Sequence, residues 1–276
     1  MTSGASWEPA RPFWPSATSA RRSLSPAPWE RARRSPRRRP SPSGGRNLPS
    51  CNSDPDPAHL DAARRAVDLV RSGMVLGLGS GATAGAVVRE LGRRLAEGRL
   101  SDISGVPTSN ATRDLALEVG VPLTDLSANP RLDLAIDGAD EVCPAGDLIK
   151  GLGGALLREK IVALNSRRLI IVVDPSKLVR RLGERSALPV VVVPFGWSTH
   201  LDFLRALGAT PALRTRPGDA APYQTDDGHY IIDARFSGGI DDPRSLADAL
   251  AARPGVVEDG LFLGKTPEIV VGRAGS

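Results

Sequence analysis

Between Asp54 and Asp174, short apolar segments alternate with segments whose apolar residues recur at helical spacing. Strands that are apolar along their whole length are buried on both faces, and a parallel sheet with helices on each side buries them in this way. We therefore predict an α/β fold with a parallel-sheet α/β/α domain. The predicted strands are MVLGL, DISGVPT, VPLTDL, LDLAID and RRLIIVVD, and the predicted helices are DPDPAHLDAARRAVDLVRSG, TAGAVVRELGRRLAEG, SNATRDLALEVG and GGALLREKIVALNS.

From Leu188 onward the order of the predicted elements changes. The segments LPVVVV, GWSTHLDFLRALG, TPALRTR, HYIIDARF, DPRSLADALAARPG and VVEDGLFL form a β-α-β-β-α-β series, which is typical of a ferredoxin-like α+β domain. The final apolar segment, PEIVVGR, is expected to return to the first sheet. We therefore predict that residues 54–187 and 264–276 form the α/β catalytic domain, and that residues 188–263 form a smaller α+β domain inserted near the C-terminus.

Residues 1–50 differ from the rest of the chain in composition. Ten arginines and two glutamates give them a net charge of +8, so the remaining residues carry −3 of the chain's total of +5. This segment is rich in proline and serine and has no apolar period, so we predict that it is a disordered basic tail. Three interpretations remain open: an organellar targeting peptide, a nucleic-acid-binding arm, or translation from an upstream start codon.

The rest of the composition limits the partners and the location. Nothing downstream of the tail resembles a nucleic-acid-binding motif, and no apolar run reaches the length of a membrane helix. We therefore predict neither a nucleic-acid nor a membrane partner. Two cysteines and three histidines form no disulfide framework and no zinc motif. This favours a reducing, cytoplasmic location without a bound metal, or an organellar location if the tail is a transit peptide.

The segment GLGSGATA, residues 77–84, lies between a predicted strand and a predicted helix. Backbone N–H groups at a helix N-terminus bind anions, and Ser80 and Thr83 add hydroxyl groups for a phosphate or a sugar. A plain tight turn is the simpler interpretation. Gly77, Gly79 and Ala82 also match a loose dinucleotide-binding pattern, but that pattern needs an acidic residue after the next strand, where the sequence has PTSN.

Carboxylates and lysines follow the next strands. The predicted strand LDLAID ends at Asp137, and Asp140 and Glu141 follow closely. Lys150 opens a glycine-rich turn, and Lys177 comes after RRLIIVVD. Ligands of parallel sheets bind at the carboxyl ends of strands. Clustered carboxylates can act as acid and base, and lysines can neutralise a phosphate or an enediolate. Taken alone, DGADE also fits a capped turn, and REK fits a solvated helix face.

In their order and spacing, GLGSGATA, VPTS, DLAIDGADEV, IKGLGGALLREK and VDPSK closely resemble the motifs of type A ribose-5-phosphate isomerases. The resemblance covers about residues 54–276, including GLFLG near the end. It implies an enzyme, an aldose–ketose isomerase of the non-oxidative pentose phosphate pathway. Such an enzyme interconverts D-ribose 5-phosphate and D-ribulose 5-phosphate through an enediolate. The resemblance also implies no metal or organic cofactor, a sugar phosphate as the small-molecule partner, and a homodimer or homotetramer.

The resemblance also implies roles for individual residues. Glu159 matches the catalytic base, Asp137 is expected to aid ring opening, and Lys150 is expected to stabilise negative charge on the oxygens. The family loop commonly reads GTGSTA, so Ser80 keeps a hydroxyl group here and Ala82 lacks one. The predicted substrate-binding residues are Ser80, Gly81, Ala82, Thr83, Asp137, Gly138, Ala139, Asp140, Lys150, Gly151, Leu152, Gly153 and Lys177.

Two other classes of protein have a similar fold. A CoA transferase would use a glutamate nucleophile that forms a thioester, and a sugar-phosphate sensor would bind without turnover and carry a DNA-binding module. The tail has no helix-turn-helix pattern, which counts against the sensor. Turnover of ribose 5-phosphate without CoA would exclude both alternatives.

Overall fold

The computed structural model describes residues 57–216 and 218–273. The predicted tail, residues 1–50, lies outside these residues. The helices are α1 (Pro57–Val67), α2 (Ala82–Ala96), α3 (Asn110–Glu118), α4 (Leu156–Leu164), α5 (Thr199–Ala206) and α6 (Pro243–Ala251). The strands are β1 (Val75–Leu78), β2 (Ser104–Pro107), β3 (Leu132–Asp137), β4 (Glu141–Val142), β5 (Leu148–Ile149), β6 (Ser166–Val173), β7 (Leu188–Val192), β8 (Ala209–Leu213), β9 (Tyr230–Phe236), β10 (Val256–Asp259), β11 (Leu261–Phe262) and β12 (Glu268–Val271).

The largest sheet has five parallel strands in the order β12-β6-β3-β1-β2. Successive residues of β6 point to opposite faces, as the period of a strand requires. Ile170 and Val172 pack in one core with α1 and α2, whereas Ile171 and Val173 pack in a second core with α4. Both faces are therefore buried, which explains why these strands are apolar along their length and confirms the predicted α/β class.

A second sheet has four antiparallel strands in the order β10-β7-β9-β8. One face packs with α5 and α6 in a core that includes Val190 and Ile232. The other face, through Val191 and Ile231, packs on Leu156 at the start of α4. β12 then pairs with β6 of the first sheet. The domain bounds at residues 187/188 and 263/264 remain a prediction.

A third, small sheet was not predicted from the sequence. It has three antiparallel strands of two residues each, in the order β11-β5-β4. The predicted strand VVEDGLFL is divided at Gly260, with β10 in the second sheet and β11 in the third. A side chain at Gly260 would overlap the carbonyl oxygen of Lys150, so glycine is required at this close approach. The backbone N–H of Lys150 donates to the carbonyl of Gly260, at 2.9 Å.

One predicted strand is wrong. In VPLTDL, residues 121–126, Leu123 forms an isolated bridge with Gly105, and no continuous strand follows. The segment lies beyond β2 at the edge of the five-stranded sheet, where a partner strand pairs it on one side at most. Among residues 57–216 and 218–273, no helix is long and apolar enough to cross a bilayer.

Candidate active site

A cleft of about 490 Å³ lies at the carboxyl ends of β1, β2, β3 and β6. Loops that follow these strands supply most of its wall, and the glycine-rich turn after β5 supplies the rest, together with residues from α1, α4 and the β8–β9 connection. The lining residues are His59, Ser80, Gly81, Ala82, Thr83, Ser109, Ala111, Gly138, Ala139, Asp140, Lys150, Gly151, Gly153, Gly154, Ala155, Glu159, Asp174, Lys177, Tyr223 and Asp226. The structure therefore brings most of the predicted site residues together.

The loop after β1 packs tightly against the end of β3. A side chain at Gly79 would overlap Asp137, so glycine is required there. The Ser80 hydroxyl group lies 2.6 Å from that of Thr108 and 3.3 Å from that of Thr112, within a cluster of hydroxyl groups. Gly81, with a φ of +91°, precedes α2 and offers no side chain to cap it. The N-terminus of α2 therefore meets the cleft without a side-chain acceptor, which suits an anion.

The centre of the site is the ammonium group of Lys150, whose side chain is only 4% exposed. Its Nζ lies 3.0 Å from Oδ2 of Asp137 and 3.2 Å from Oε2 of Glu159. Nζ also donates to the carbonyl of Gly138, at 2.5 Å. The ring of Phe262 lies beneath it, with the ring centre 5.6 Å from Nζ. One buried cation therefore faces two buried carboxylates, one from the end of β3 and one from the first turn of α4.

The two partners of this ion pair have perturbed ionisation. Burial raises the pKa of Glu159 to about 8, and the charge of Asp137 adds to the rise against the opposing effect of Lys150. Burial alone would lower the pKa of Lys150, but the charges of Asp137 and Glu159 raise it above its usual value. Lys150 therefore stays a cation, whereas Glu159 can exchange its proton near neutral pH.

Glu159 Oε2 is buried and accepts no hydrogen bond from the residues that the structure describes. Its contact with Lys150 is therefore an attraction between charges without the alignment of a hydrogen bond. Glu159 as a residue lines the cleft, where its carboxyl group can accept a proton from a ligand.

The three acidic residues after β3 have different environments. Asp137 does not line the cleft, because its Oδ1 accepts the N–H groups of Ser80 and Gly138 and its Oδ2 faces Lys150. Asp140 lines the cleft, and burial raises its pKa. Glu141 points away from the cleft, is fully buried, and accepts backbone N–H groups of the segment before β7.

Leu152 is the other predicted binding residue that does not line the cleft. Its side chain is exposed, and its backbone N–H donates to Oδ2 of Asp140, at 2.9 Å. The turn that contains it begins at Gly151, which has a φ of +106°. The predicted binding residues Gly153 and Lys177 line the cleft.

Several lining residues were not predicted from the sequence. Tyr223 and Asp226 come from the irregular connection between β8 and β9, which carries no motif. His59 lies in α1, where its Nε2 is 3.6 Å from Oδ2 of Asp174. Asp174 belongs to the segment VDPSK, so its position after β6 was a signal that the sequence did offer. The remaining additions are Ser109, Ala111, Gly154 and Ala155.

The described residues do not show the arrangement of side chains that is typical of a metal centre or of a dinucleotide site. Among residues 57–216 and 218–273, no group of three or more His, Cys, Asp or Glu side chains is placed to hold a metal ion. β2 ends at Pro107, and the Thr108 hydroxyl group after it donates to the carbonyl of Leu78. An acidic residue to hold a ribose is therefore missing from this strand end.

Known proteins share both the sequence and the fold. A family model described as ribose 5-phosphate isomerase A (phosphoriboisomerase A) matches residues 104–276. The ribose-5-phosphate isomerase A of Roseiflexus castenholzii is 54% identical over 210 residues, which cover 76% of this chain and 89% of the relative. A solved ribose 5-phosphate isomerase A from Methanocaldococcus jannaschii is 39% identical, with a TM-score of 0.73 over 78% of this chain and 94% of its own.

A further solved structure is a D-ribose-5-phosphate isomerase in complex with phospho-erythronic acid. It is 39% identical, with a TM-score of 0.76 over 78% of this chain and 93% of its own. The fold and the cleft define an α/β enzyme whose cleft holds a buried carboxyl group beside a fixed cation. The chain belongs to the ribose 5-phosphate isomerase A family.

Proposed function

We propose that this chain interconverts D-ribose 5-phosphate and D-ribulose 5-phosphate through an enediolate, as a step of the non-oxidative pentose phosphate pathway. Membership of the family supports the substrate and the reaction. The observation that carries the mechanism is the Glu159 carboxylate, which is buried at the cleft, lies 3.2 Å from Lys150 Nζ and has its pKa raised to about 8.

Isomerisation moves a proton between two neighbouring carbons, and Glu159 is the proposed carrier of that proton. It takes the proton from C2 of the aldose and returns it to C1, which forms the ketose. A general base works best when its pKa lies near the operating pH, because it must both accept and release the proton. Burial gives Glu159 such a pKa, which an exposed glutamate does not have.

Lys150 is proposed to stabilise the negative charge that develops on the substrate oxygens. Its ammonium group is fixed by contacts with Asp137 and with the Gly138 carbonyl, so little reorganisation is needed during the reaction. The proposed role of Asp137 in ring opening requires contact with the sugar. Its position behind the cleft wall supports a role through Lys150 instead. Asp140 is the carboxylate of this loop that lines the cleft.

The substrate phosphate is proposed to bind at the loop Ser80–Thr83. Gly81, Ala82 and Thr83 line the cleft at the N-terminus of α2, where backbone N–H groups and the helix dipole favour an anion. Lys177, after β6, adds a positive charge at the same cleft. Ser80 contributes less directly, since its hydroxyl group already contacts those of Thr108 and Thr112.

The test is the conversion of ribose 5-phosphate to ribulose 5-phosphate by the purified chain, without CoA or added metal. We expect turnover, and we expect Glu159→Gln to lower kcat by on the order of 10²–10⁴ while KM changes little. Glu118→Gln is the matched control, because Glu118 is an exposed glutamate on α3 whose ion pair, among the described residues, is with Arg89. Absence of turnover in the wild type would refute the function, and near-normal turnover in Glu159→Gln would refute the assigned base.

A cytoplasmic location and a homodimer or homotetramer are further parts of this proposal. The location is supported by the scarcity of cysteine in the sequence, and the assembly is supported by the resemblance of the motifs to the family. Sedimentation of the purified chain measures the assembly, and a monomer at working concentration would contradict it.

A further inference from the structure

We propose that Arg214 is a positioning residue of the active site, which holds the glycine-rich turn after Lys150 so that Asp140 keeps its place in the cleft. The inference rests on the proposed isomerase function. Arg214 follows β8, in the sheet that does not contain the strand ends of the cleft. It therefore makes the second sheet a contributor to a site that the first sheet builds.

The guanidinium group of Arg214 reaches the turn directly. Its Nη1 donates to the carbonyl of Gly151, at 3.0 Å, and to the carbonyl of Leu152, at 2.9 Å. The remaining donors face Asp233 on β9, with Nε at 2.9 Å from Oδ2. Only 12% of the Arg214 side chain is exposed. The ion pair of Arg214 with Asp233 in the second sheet thus holds Nη1 against two successive carbonyls, directly after Lys150 in the chain.

The turn has a conformation that its own sequence stabilises poorly. Gly151 has a φ of +106°, and a side chain there would come within 2.8 Å of Leu156. Gly154 also has a positive φ, and a side chain there would overlap Tyr223. Glycine makes these backbone angles accessible but does not select them, because it loses more conformational freedom than any other residue. The turn has one internal hydrogen bond, from the N–H of Gly154 to the carbonyl of Gly151 at 2.9 Å, and external contacts add to what holds it in place.

The glycine-rich turn also contacts a carboxylate that lines the cleft. The N–H of Leu152 donates to Oδ2 of Asp140, at 2.9 Å, while the carbonyl of the same residue accepts from Arg214. A continuous chain of contacts therefore runs from Asp233 through Arg214 and Leu152 to Asp140. Displacement of the turn would move the N–H donor that orients Asp140.

The far end of the β8–β9 connection is anchored independently. Arg158 on α4 pairs with Asp227, with Nη2 at 2.7 Å from Oδ1, and Asp226 accepts the N–H of Asn110 at the start of α3. A change at Arg214 should therefore release the turn without detaching the whole connection.

Two substitutions separate charge from geometry. Arg214→Met keeps the length of the side chain and removes its charge and donors. Arg214→Lys keeps a charge for Asp233, but a single ammonium group cannot bridge a carboxylate and two carbonyls as the planar guanidinium group does. We expect both variants to lose about 10- to 100-fold in kcat/KM, since small displacements of reacting groups have effects of this size.

Arg168→Met is the matched control. Arg168 forms the same kind of two-pronged pair with Glu268, at 2.9 and 3.0 Å, but at the amino end of β6, far from the strand ends that form the cleft. We expect it to keep the wild-type kcat/KM within about twofold, because surface ion pairs contribute little. An equal loss in the control and in the Arg214 variants would contradict a specific role of Arg214.

A double-mutant cycle with Asp140→Ala tests the route of the effect. If Arg214 acts through the turn and Asp140, Arg214→Met should lower kcat/KM by less than about threefold in the Asp140→Ala background. The same full loss in both backgrounds would overturn the proposed route. A merely destabilising substitution would not show this dependence on Asp140.

Hydrogen exchange of the peptide that spans residues 150–156 provides a measurement that does not depend on activity. We expect faster exchange in Arg214→Met than in the wild type, and no change in Arg168→Met, because the turn loses the contacts that hold it. Unchanged exchange would refute the positioning role even in an active enzyme. A wild type that does not convert ribose 5-phosphate but shows this exchange pattern would refute the proposed function and leave the role of Arg214 in place.

Discussion

At the scale of single residues, the site depends on one ammonium group that serves two carboxylates. Lys150 contacts both Asp137 and Glu159, and burial raises the pKa of Glu159 to about 8. The environments differ, because Asp137 accepts two backbone N–H groups, whereas Oε2 of Glu159 accepts no hydrogen bond from the described residues. Hydrogen bonds favour the charged form of a carboxyl group, and Oε2 of Glu159 lacks them, so burial leaves Glu159 able to exchange a proton near neutral pH.

This difference predicts how activity depends on pH. Glu159 must be ionised to accept a proton, so kcat/KM should rise with pH to a plateau, with a midpoint near 8. Asp137→Asn removes the neighbouring negative charge that raises the pKa of Glu159, so the midpoint should move to lower pH. Asp114→Asn, a change at an exposed residue of α3, should leave it in place. A midpoint that stays or rises in Asp137→Asn would show that Asp137 does not set the ionisation of Glu159.

At the scale of elements, short segments fix the positions of side chains that the longer helices and strands bring close to the cleft. The three-stranded sheet fixes Lys150 between β5 and the Gly260 carbonyl. The adjacent strand β4 carries Glu141, whose carboxylate accepts the N–H groups of Gly183, Arg185 and Ser186, at 2.6, 2.7 and 2.5 Å. Glu141 therefore ties the segment that enters the second sheet to the strand that follows the cleft loop.

Glu141→Gln should destabilise the fold through this segment. The amide places an N–H group where a carboxylate oxygen accepts backbone N–H groups, and the site is fully buried. We expect the free energy of unfolding to fall by about 2–4 kcal/mol, as for the loss of buried charge-assisted hydrogen bonds. Denaturant unfolding measures this change. Glu184→Gln, in the same segment but partly exposed, is the control, and an equal loss in the two variants would contradict the argument.

The elements that the sequence predicted are those with a local pattern. Apolar runs and helical periods predicted the five parallel strands, the helices α1–α6 and the antiparallel strands. VPLTDL failed because an apolar run of strand length does not supply a partner strand, and only Leu123 forms a bridge. The three-stranded sheet could not be predicted, because two-residue strands have no period and β5 and β11 lie far apart in the sequence.

The same difference between patterned and irregular segments explains which site residues were predicted from the sequence. Motif residues such as Asp140 and Lys177 lie at the cleft because they follow parallel strands whose ends meet at one edge of the sheet. Tyr223 and Asp226 were missed because they belong to a connection without a pattern in another sheet. Asp137 was predicted to meet the sugar from its place in DGADE, but side-chain direction depends on the loop that packs over it, and Gly79 packs there.

At the scale of the whole molecule, the cleft joins parts of the chain that are distant in sequence. Loops after the parallel strands supply Asp140 and Lys177, the three-stranded sheet positions Lys150, and Arg214 at the start of the β8–β9 connection contacts the glycine-rich turn. α4 belongs to both parts, since Leu156 packs under the second sheet and Glu159 enters the cleft one turn later. The basic segment of residues 1–50 lies outside the described residues, and its predicted independence from the fold remains a prediction.

The burial that raises the pKa of Glu159 should reduce the stability of the whole fold as pH rises. In the unfolded chain a glutamate ionises near its ordinary pKa of 4.5, whereas in the folded protein Glu159 holds its proton up to about pH 8. Below pH 4.5 both states are protonated and the free energy of unfolding is not affected. Between pH 4.5 and 8 the folded state binds more protons than the unfolded state, so the free energy of unfolding falls as pH increases.

Glu159→Gln removes this ionisation and leaves the other titrating groups in place. The difference in the free energy of unfolding between the wild type and the variant therefore reports the ionisation of Glu159. Relative to the variant, the wild type should lose stability steadily from about pH 4.5 to 8 and then show a constant deficit. That deficit reaches on the order of 5 kcal/mol at most, because each pKa unit corresponds to about 1.4 kcal/mol. Denaturant unfolding of both proteins at intervals across this range measures the difference. A constant difference from pH 4.5 to 8 would show that Glu159 ionises alike in the folded and unfolded states, and would remove the basis for a base tuned by burial.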